Sequence, residues 1–146
     1  MENKNDLLLR AIEIAVKNHR TQFDKAGAPY VLHCFRVMLK GKTLDEQITG
    51  VLHDVIEDTG VDENTLREEG FSEIIIDAVM ALTKMHGESN EEYLKKVTGN
   101  KIAARVKMYD VEDNMNLLRL KEIGVKDVKR LNKYIEMYRV LRAGME

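Results

Sequence analysis

Apolar residues recur along this chain at steps of three and four, and no segment alternates apolar with polar for long enough to build a strand. The pattern is clearest at the start, where Leu8, Ala11, Ile12, Ala15, Val16 and His19 make one face of a helix expected from about Asp6 to Arg20. The single proline, Pro29, closes Asp24-Lys25-Ala26-Gly27-Ala28-Pro29, the one strong turn signal. A short helix from Val31 to about Lys40 follows. Thr43-Leu44-Asp45-Glu46 has capping-box spacing and opens a helix that reaches about Ile56. Asp62 caps a short helix through Glu69. Phe71 to Lys84 is the most apolar helix, with Ile74, Ile75, Ala78, Val79 and Leu82 turned inward. Ser89-Asn90-Glu91-Glu92 is a second capping box, whose helix closes at Gly99. Lys101 to Leu118 and Asp127 to Arg142 are long helices, the last with Leu131, Tyr134, Ile135, Tyr138 and Leu141 as its seam. The fold class is therefore all-α, a helical bundle of about seven or eight helices.

The length, 146 residues, suits one domain over residues 1–146, and no linker, repeat or low-complexity segment divides it. A hydrophobic fraction of 44% is enough for a core. The one cysteine, Cys34, excludes an intramolecular disulfide and a Cys-based zinc cage, and reads as a small buried hydrophobe. The longest unbroken apolar run, Ala78 to Leu82, is far short of the roughly 20 residues needed to cross a bilayer. The N-terminal Met-Glu-Asn-Lys-Asn-Asp lacks the apolar stretch and cleavage site of a signal peptide. A cytoplasmic protein without a membrane partner is expected. Net charge is −2, from 23 Lys plus Arg against 25 Asp plus Glu, which gives no general field for a polynucleotide. A phosphorylated ligand would have to be met by a few placed side chains or by a metal.

Four histidines are present, His19, His33, His53 and His86. His53 is followed directly by Asp54, among the apolar residues Ile48, Val51, Leu52, Val55 and Ile56. Burying such a pair is costly unless something compensates, and a divalent cation does so, because imidazole and carboxylate both ligate it. The dipeptide alone suits a surface or capping role as well. Glu57 and Asp58 lie four residues after His53 and Asp54, which puts all four within about 140° of one helix face. Crowded carboxylates at a helix C-terminus oppose the helix dipole, so a merely solvated helix end leaves them unexplained. A metal held by the first two would leave Glu57 and Asp58 near its water for proton transfer or substrate orientation. Asp110 has Asn114 at i+4 and Lys107 at i−3, an acid, an amide and a cation on one face. Read alone, that segment is a polar stripe on an amphipathic helix. His19 reads as a buried, hydrogen-bonded residue, His86 as a loop residue, and Tyr134 and Tyr138 as core.

The order His33, His53-Asp54, Asp110 resembles the H…HD…D pattern of the HD-domain metal-dependent phosphohydrolases. One branch is closer. Gly27-Ala28-Pro29-Tyr30-Val31-Leu32-His33 looks like its G-x-P-Y-x-x-H, and Val51-Leu52-His53-Asp54-Val55-Ile56-Glu57-Asp58-Thr59 is similar to its L-L-H-D-V-V-E-D-T. Val106-Lys107-Met108-Tyr109-Asp110-Val111-Glu112-Asp113-Asn114 follows the frame of V-K-L-A-D-R-L-H-N. These are marks of the (p)ppGpp hydrolase domain of the RelA/SpoT family, including the stand-alone small alarmone hydrolases. The resemblance implies an HD domain binding one Mn²⁺ through His33, His53, Asp54 and Asp110; the same ligands would also admit Fe²⁺, Co²⁺ or Zn²⁺. It implies Glu57 and Asp58 as the acidic pair that activates water and handles protons, with Lys25, Asn114 and Lys107 as substrate contacts. The implied reaction takes the 3′-pyrophosphate from ppGpp or pppGpp, giving GDP or GTP plus pyrophosphate, by a metal-activated water. The synthetase activity of bifunctional relatives is not expected, since 146 residues leave no room for it.

The sequence departs from that branch at several positions. Asp24 stands where the family sets an arginine against the guanine base, while the neighbouring Lys25 is kept. Cys34 replaces the usual proline after His33, Val111 the basic residue after Asp110, and Leu117 a position that is often a hydroxyl residue. An anion in place of a stacking cation should weaken a polyanionic ligand. Asp24 therefore motivates an alternative, an HD phosphohydrolase or nucleotidase acting on another nucleotide. A second alternative is a catalytically silent nucleotide-sensing HD module. Arg20 and Arg105 join Lys25 and Lys107 as basic residues that could line the pocket mouth.

Overall fold

Nine α-helices and one 3₁₀ turn make up the regular structure of residues 3–145, the part of the chain that this computed structural model describes. They are α1 (Lys4–Asn18), α2 (Val31–Lys40), α3 (Leu44–Leu52), α4 (Val55–Asp58), α5 (Glu63–Glu68), α6 (Glu73–Leu82), α7 (Asn90–Thr98), α8 (Lys101–Asn114), the 3₁₀ turn (Leu117–Arg119) and α9 (Val125–Ala143). Among the described residues extended pairing is limited to an isolated bridge, Phe23 with Pro29, across the turn in which Gly27 has φ 87°. The all-α expectation holds. Most helices start where a side chain takes up a free backbone N–H: Thr43 from Glu46, Asp62 from Thr65, Ser72 from Ile75 and Asn100 from Ala103. At α7 the Ser89–Glu92 capping box is reciprocal, as the spacing predicts.

The helix expected from Thr43 to Ile56 is two helices. It breaks at His53-Asp54, where the His53 ring donates from Nδ1 to the Gly50 carbonyl at 2.6 Å and competes for the acceptor that a continuing helix would use. The helix expected to run to Leu118 stops at Asn114. Asn116 then accepts from the Leu118 N–H and starts the 3₁₀ turn, leaving Leu118 91% exposed.

The α3 helix is the centre of the bundle, packing against α1, α2, α6 and α8. On one side Ala11, Ala15, Ile48, Leu52, Leu66, Ile76 and Val79 form a core cluster. On the other Leu82, Tyr93, Val97, Val106, Val111, Met137 and Leu141 form a second, which Val37 of α2 joins. Two seams differ from the periodicity reading. The α6 seam runs through Ile75, Ile76, Val79 and Leu82, so Ile74 stands one helical step outside it and is exposed. On α9, Met137 and Leu141 are buried with Tyr134 and Tyr138 packed partly against them, and Ile135 lies at the exposed edge of that stripe. Val16, at the end of the α1 stripe, is exposed as well.

The α2 and α3 backbones approach closely at Gly50. A Cβ built there would lie 3.2 Å from the Met38 Cα and backbone N and 3.4 Å from the Val37 carbonyl carbon, none of which is the end of a flexible side chain. The same residue supplies the carbonyl that holds His53, so the helix crossing and the ring orientation share one position. Gly50→Ala should lower folding stability by about 1–3 kcal/mol, the usual cost of overpacking, as measured by urea denaturation.

Candidate metal centre

His53 ends α3 and is almost wholly buried. Because its Nδ1 donates to the Gly50 carbonyl, Nε2 carries the lone pair in the neutral ring. That nitrogen has no hydrogen-bond partner, yet it lies 2.9 Å from Asp54 Oδ2 and 3.4 Å from Asp110 Oδ1. A bare lone pair facing two carboxylates is repulsive unless a proton or a cation lies between them. His33, in the first turn of α2, completes the cluster from the other side. Its Nε2 is 2.9 Å from Asp110 Oδ1 and 3.9 Å from Asp54 Oδ2, and its ring centroid is 5.2 Å from that of His53. Tyr30, at the end of the turn, donates its hydroxyl to the same Asp54 oxygen.

Charge in this nearly dry space is balanced from within. Burial disfavours the charged form of every member, yet mutual attraction outweighs it. Asp110, next to Lys107 and the two histidines, lies well below the ordinary carboxylate range, and His53, facing Asp54 and Asp110, well above the ordinary imidazole range. His33 is raised by its bonds to Asp110 and Asp113. A divalent cation at this point would balance the same carboxylate charge. The donor set, two imidazole nitrogens and two carboxylates, suits such a cation, and ligand atoms of His33, His53 and Asp54 all lie within 4.8 Å of one another.

Lys107 sits beneath the cluster. Its ammonium bonds Asp110 Oδ2 at 2.9 Å and lies 5.3 Å over the Tyr93 ring, so it is a buried counter-charge turned away from solvent. Asn114 donates to Asp110 Oδ1 at 2.9 Å and accepts from Arg119 at 2.9 Å. It also lines a cleft of about 310 Å³ beside the cluster, with Phe23, Asp24, Lys25, Tyr30, Arg119, Arg130 and Tyr134. Lys25 and Asn114 thus share this cleft, and Lys107 does not reach it. Arg105 lies beside Glu46, away from the cleft, and Arg20 is not among its lining residues. Tyr134, read as core, is half-buried and forms part of the cleft wall.

Glu57 and Asp58 lie on the solvent side of the cluster. Their carboxylates group with that of Asp54 within 4.8 Å, although the helix break moves them off the uninterrupted face their spacing suggests. Glu57 Oε1 accepts from the Lys84 N–H at 2.7 Å. Asp58 is pushed up to about 6 by burial and by the neighbouring Asp54 and Glu57 carboxylates. His19 is buried, bonded through Nδ1 to Gln22 at 2.7 Å, and Gln22 in turn donates to the Asp58 carbonyl. Cys34 is fully buried, its thiol pushed up to about 12 by burial, as befits a small hydrophobe. His86 is exposed in the turn after α6.

Three charged residues at the site go unread in the sequence. Asp113 accepts from His33 Nδ1 at 2.6 Å and from Arg36 Nε at 2.7 Å, and Arg119 reaches it at 3.0 Å. Asp113 is one turn beyond Asp110 and Arg36 one turn beyond His33, so i+3 spacing from each histidine or aspartate would have found them. Arg119 belongs to the irregular 3₁₀ turn, which no periodicity flags.

No family model matches the chain. Curated relatives do. The guanosine-3′,5′-bis(diphosphate) 3′-pyrophosphohydrolase of Borreliella burgdorferi is 36% identical over 88 residues, 58% of this chain and 13% of that protein. The enzyme of the same name from Aquifex aeolicus is 30% identical over 116 residues, 73% of this chain and 16% of that protein. The solved structure of a metazoan ortholog of SpoT that hydrolyses ppGpp superposes with a TM-score of 0.76 at 18% identity, covering 92% of this chain and 84% of the other. In sequence the chain is similar to part of these guanosine-3′,5′-bis(diphosphate) 3′-pyrophosphohydrolases, and in fold to the SpoT ortholog. It spans less than a fifth of the length of these two curated relatives, 13% and 16%.

If Lys107 is the internal counter-charge of Asp110, Lys107→Met should lower the stability of metal-free protein by about 3 kcal/mol, the cost of leaving a buried carboxylate without its partner. Urea denaturation in the presence of a chelator measures this. A saturating divalent cation should recover a large part of the loss.

Proposed function

We propose that this chain hydrolyses the 3′-pyrophosphate of ppGpp and pppGpp, giving GDP or GTP and pyrophosphate, with one Mn²⁺ held by His33, His53, Asp54 and Asp110. The observation that carries this reading is the partnerless Nε2 of His53 turned toward two carboxylates, in a chain similar in sequence to guanosine-3′,5′-bis(diphosphate) 3′-pyrophosphohydrolases and in fold to a SpoT ortholog. In this reading residues 1–146 act as one HD domain, in the cytoplasm. No helix among the described residues is long and apolar enough to cross a membrane.

A divalent cation in this cluster supplies Lewis-acid activation of a water and offsets charge on the phosphate oxygens. The chain's own residues do the rest. The water oxygen ends on the pyrophosphate, the phosphorus–O3′ bond breaks, and O3′ leaves with a proton. Glu57 and Asp58, on the open side of the cluster, take the proton from water and return one to O3′; Asp58, pushed up to about 6, can hold a proton near neutral pH. Lys25 and Asn114 orient the nucleotide from the cleft, and Lys107 acts through Asp110 rather than by touching substrate.

One observation favours a second reading, an HD phosphohydrolase acting on another nucleotide. Every cation of the cleft already faces a carboxylate: Lys25 and Arg130 share Asp127 at 3.2 and 2.7 Å, and Arg119 lies 3.8 Å from Asp24. Asp24 is also built into its own loop, accepting from the Ala26 and Ala28 N–H groups at 3.0 and 2.9 Å, so it keeps its place at the cleft. Such a cleft offers a less positive surface than a doubly pyrophosphorylated nucleotide calls for.

Assaying Mn²⁺-loaded protein against ppGpp, NADPH and deoxynucleoside triphosphates separates the two. The expected result is a higher kcat/KM for ppGpp than for the others, with Glu57→Gln lowering kcat by about 10²–10⁴-fold, as loss of a general acid or base does. Turnover of ppGpp no faster than that of a generic phosphoester would favour the second reading.

A further inference from the structure

We propose that Asp113 is a positioning residue of the metal centre, fixing the His33 ring so that its Nε2 presents a lone pair to the cation. This rests on the metal-holding part of the function proposed above and assigns a role to a residue outside the ligand set.

The two nitrogens of an imidazole are distinct, and the hydrogen bond made by one decides what the other can offer. At His53 the device is a backbone carbonyl, that of Gly50. At His33 it is a carboxylate. Asp113 Oδ2 lies 2.6 Å from His33 Nδ1 in a buried position, and a carboxylate there takes only a donor, so Nδ1 keeps its proton and the neutral ring that a cation would meet has its lone pair on Nε2. Nε2 is the nitrogen that faces Asp110 and Asp54. A carboxylate behind the ring also makes the far nitrogen a stronger donor than a neutral carbonyl would.

Asp113 is itself held from two sides. Arg36, one turn beyond His33 on α2, donates from Nε to Oδ1 at 2.7 Å and from Nη2 to Oδ2 at 3.2 Å. Arg119, from the 3₁₀ turn, brings Nη1 within 3.0 Å of Oδ2. Two guanidiniums from different elements keep the carboxylate ionised and prevent it from rotating away. An aspartate placed only to stabilise the bundle needs no contact with an imidazole; this one spends its shortest hydrogen bond on the ring of a ligand candidate.

The test is titration of Mn²⁺ alone into metal-free protein, followed by the loss of the free-ion electron paramagnetic resonance signal. Four proteins are compared: wild type, Asp113→Asn, His33→Ala and the double variant. Asp113→Asn is isosteric and leaves an acceptor for Nδ1–H while removing the charge and loosening the arginine clamp. It should weaken Mn²⁺ binding about 10–100-fold, the range seen when the partner of a metal-bound histidine is changed. In the His33→Ala background the same substitution should weaken binding no further, a result a merely structural role would not give. Wild-type affinity in Asp113→Asn, or an equal loss with and without His33, overturns the proposal while leaving the metal site standing. Failure of the wild type to bind Mn²⁺ overturns both. If Asp113→Asn does not fold, Arg36→Gln carries the test at a half-exposed side chain: severalfold weaker binding supports the proposal, and wild-type affinity overturns it.

Discussion

Asp54 and Asp110 meet two imidazoles at one buried point between α2, the end of α3 and α8, with ring nitrogens 2.9–3.9 Å from carboxylate oxygens. Two negative groups this close, largely shielded from water, have to be neutralised by something at hand. Much of the surrounding structure answers that demand. Lys107 is drawn inward against Asp110, although burying an ammonium is costly, and the facing carboxylates hold both imidazoles above their ordinary range although burial alone would lower them. The α3 helix ends where it does because His53 turns back to the Gly50 carbonyl, and that ring orientation aims its lone pair at the acids. Gly50 in turn permits the close α2–α3 contact that brings His33 to the same point. Helix crossing, helix break and electrostatics are one arrangement.

The cleft beside this cluster shows how little the overall charge of the chain says about a site. A net charge of −2 suggests poor attraction for phosphates. Locally, Lys25, Arg119 and Arg130 surround one opening, each with a carboxylate partner already in place. A phosphorylated ligand would exchange with those partners instead of filling an empty cationic pocket. For the nucleotide proposed above, selectivity would rest on how well it replaces Asp24 and Asp127 and on the walls offered by Phe23 and Tyr134.

The helices were largely legible in the sequence, because apolar steps of three and four and side-chain caps at Thr43, Asp62 and Ser89 act locally. Their convergence was legible for a different reason: the H…HD…D order and the Glu57-Asp58 pair fall on a known pattern. What escaped depends on tertiary contact. Periodicity could not foresee the break at His53, which comes from a side chain bonding backbone, nor the exposure of Ile74 and Ile135, which depends on which neighbour each helix meets. Lys107 looked like a cleft residue on the helix face of Asp110 and Asn114, but its flexible stem allows it to turn inward. Asp24 read as a free anion facing the ligand, whereas it also caps its own turn and pairs with Arg119, a residue 95 positions later that no local pattern connects to it.

In the function proposed here, the acids and imidazoles of this cluster hold one cation. Anomalous diffraction at the manganese edge from crystals grown with Mn²⁺ tests it most directly. A single strong peak is expected, enclosed by His33, His53, Asp54 and Asp110, with His53 Nε2 among the coordinating atoms. A cluster without a peak, in crystals whose Mn²⁺ sits elsewhere or nowhere on the chain, would contradict it.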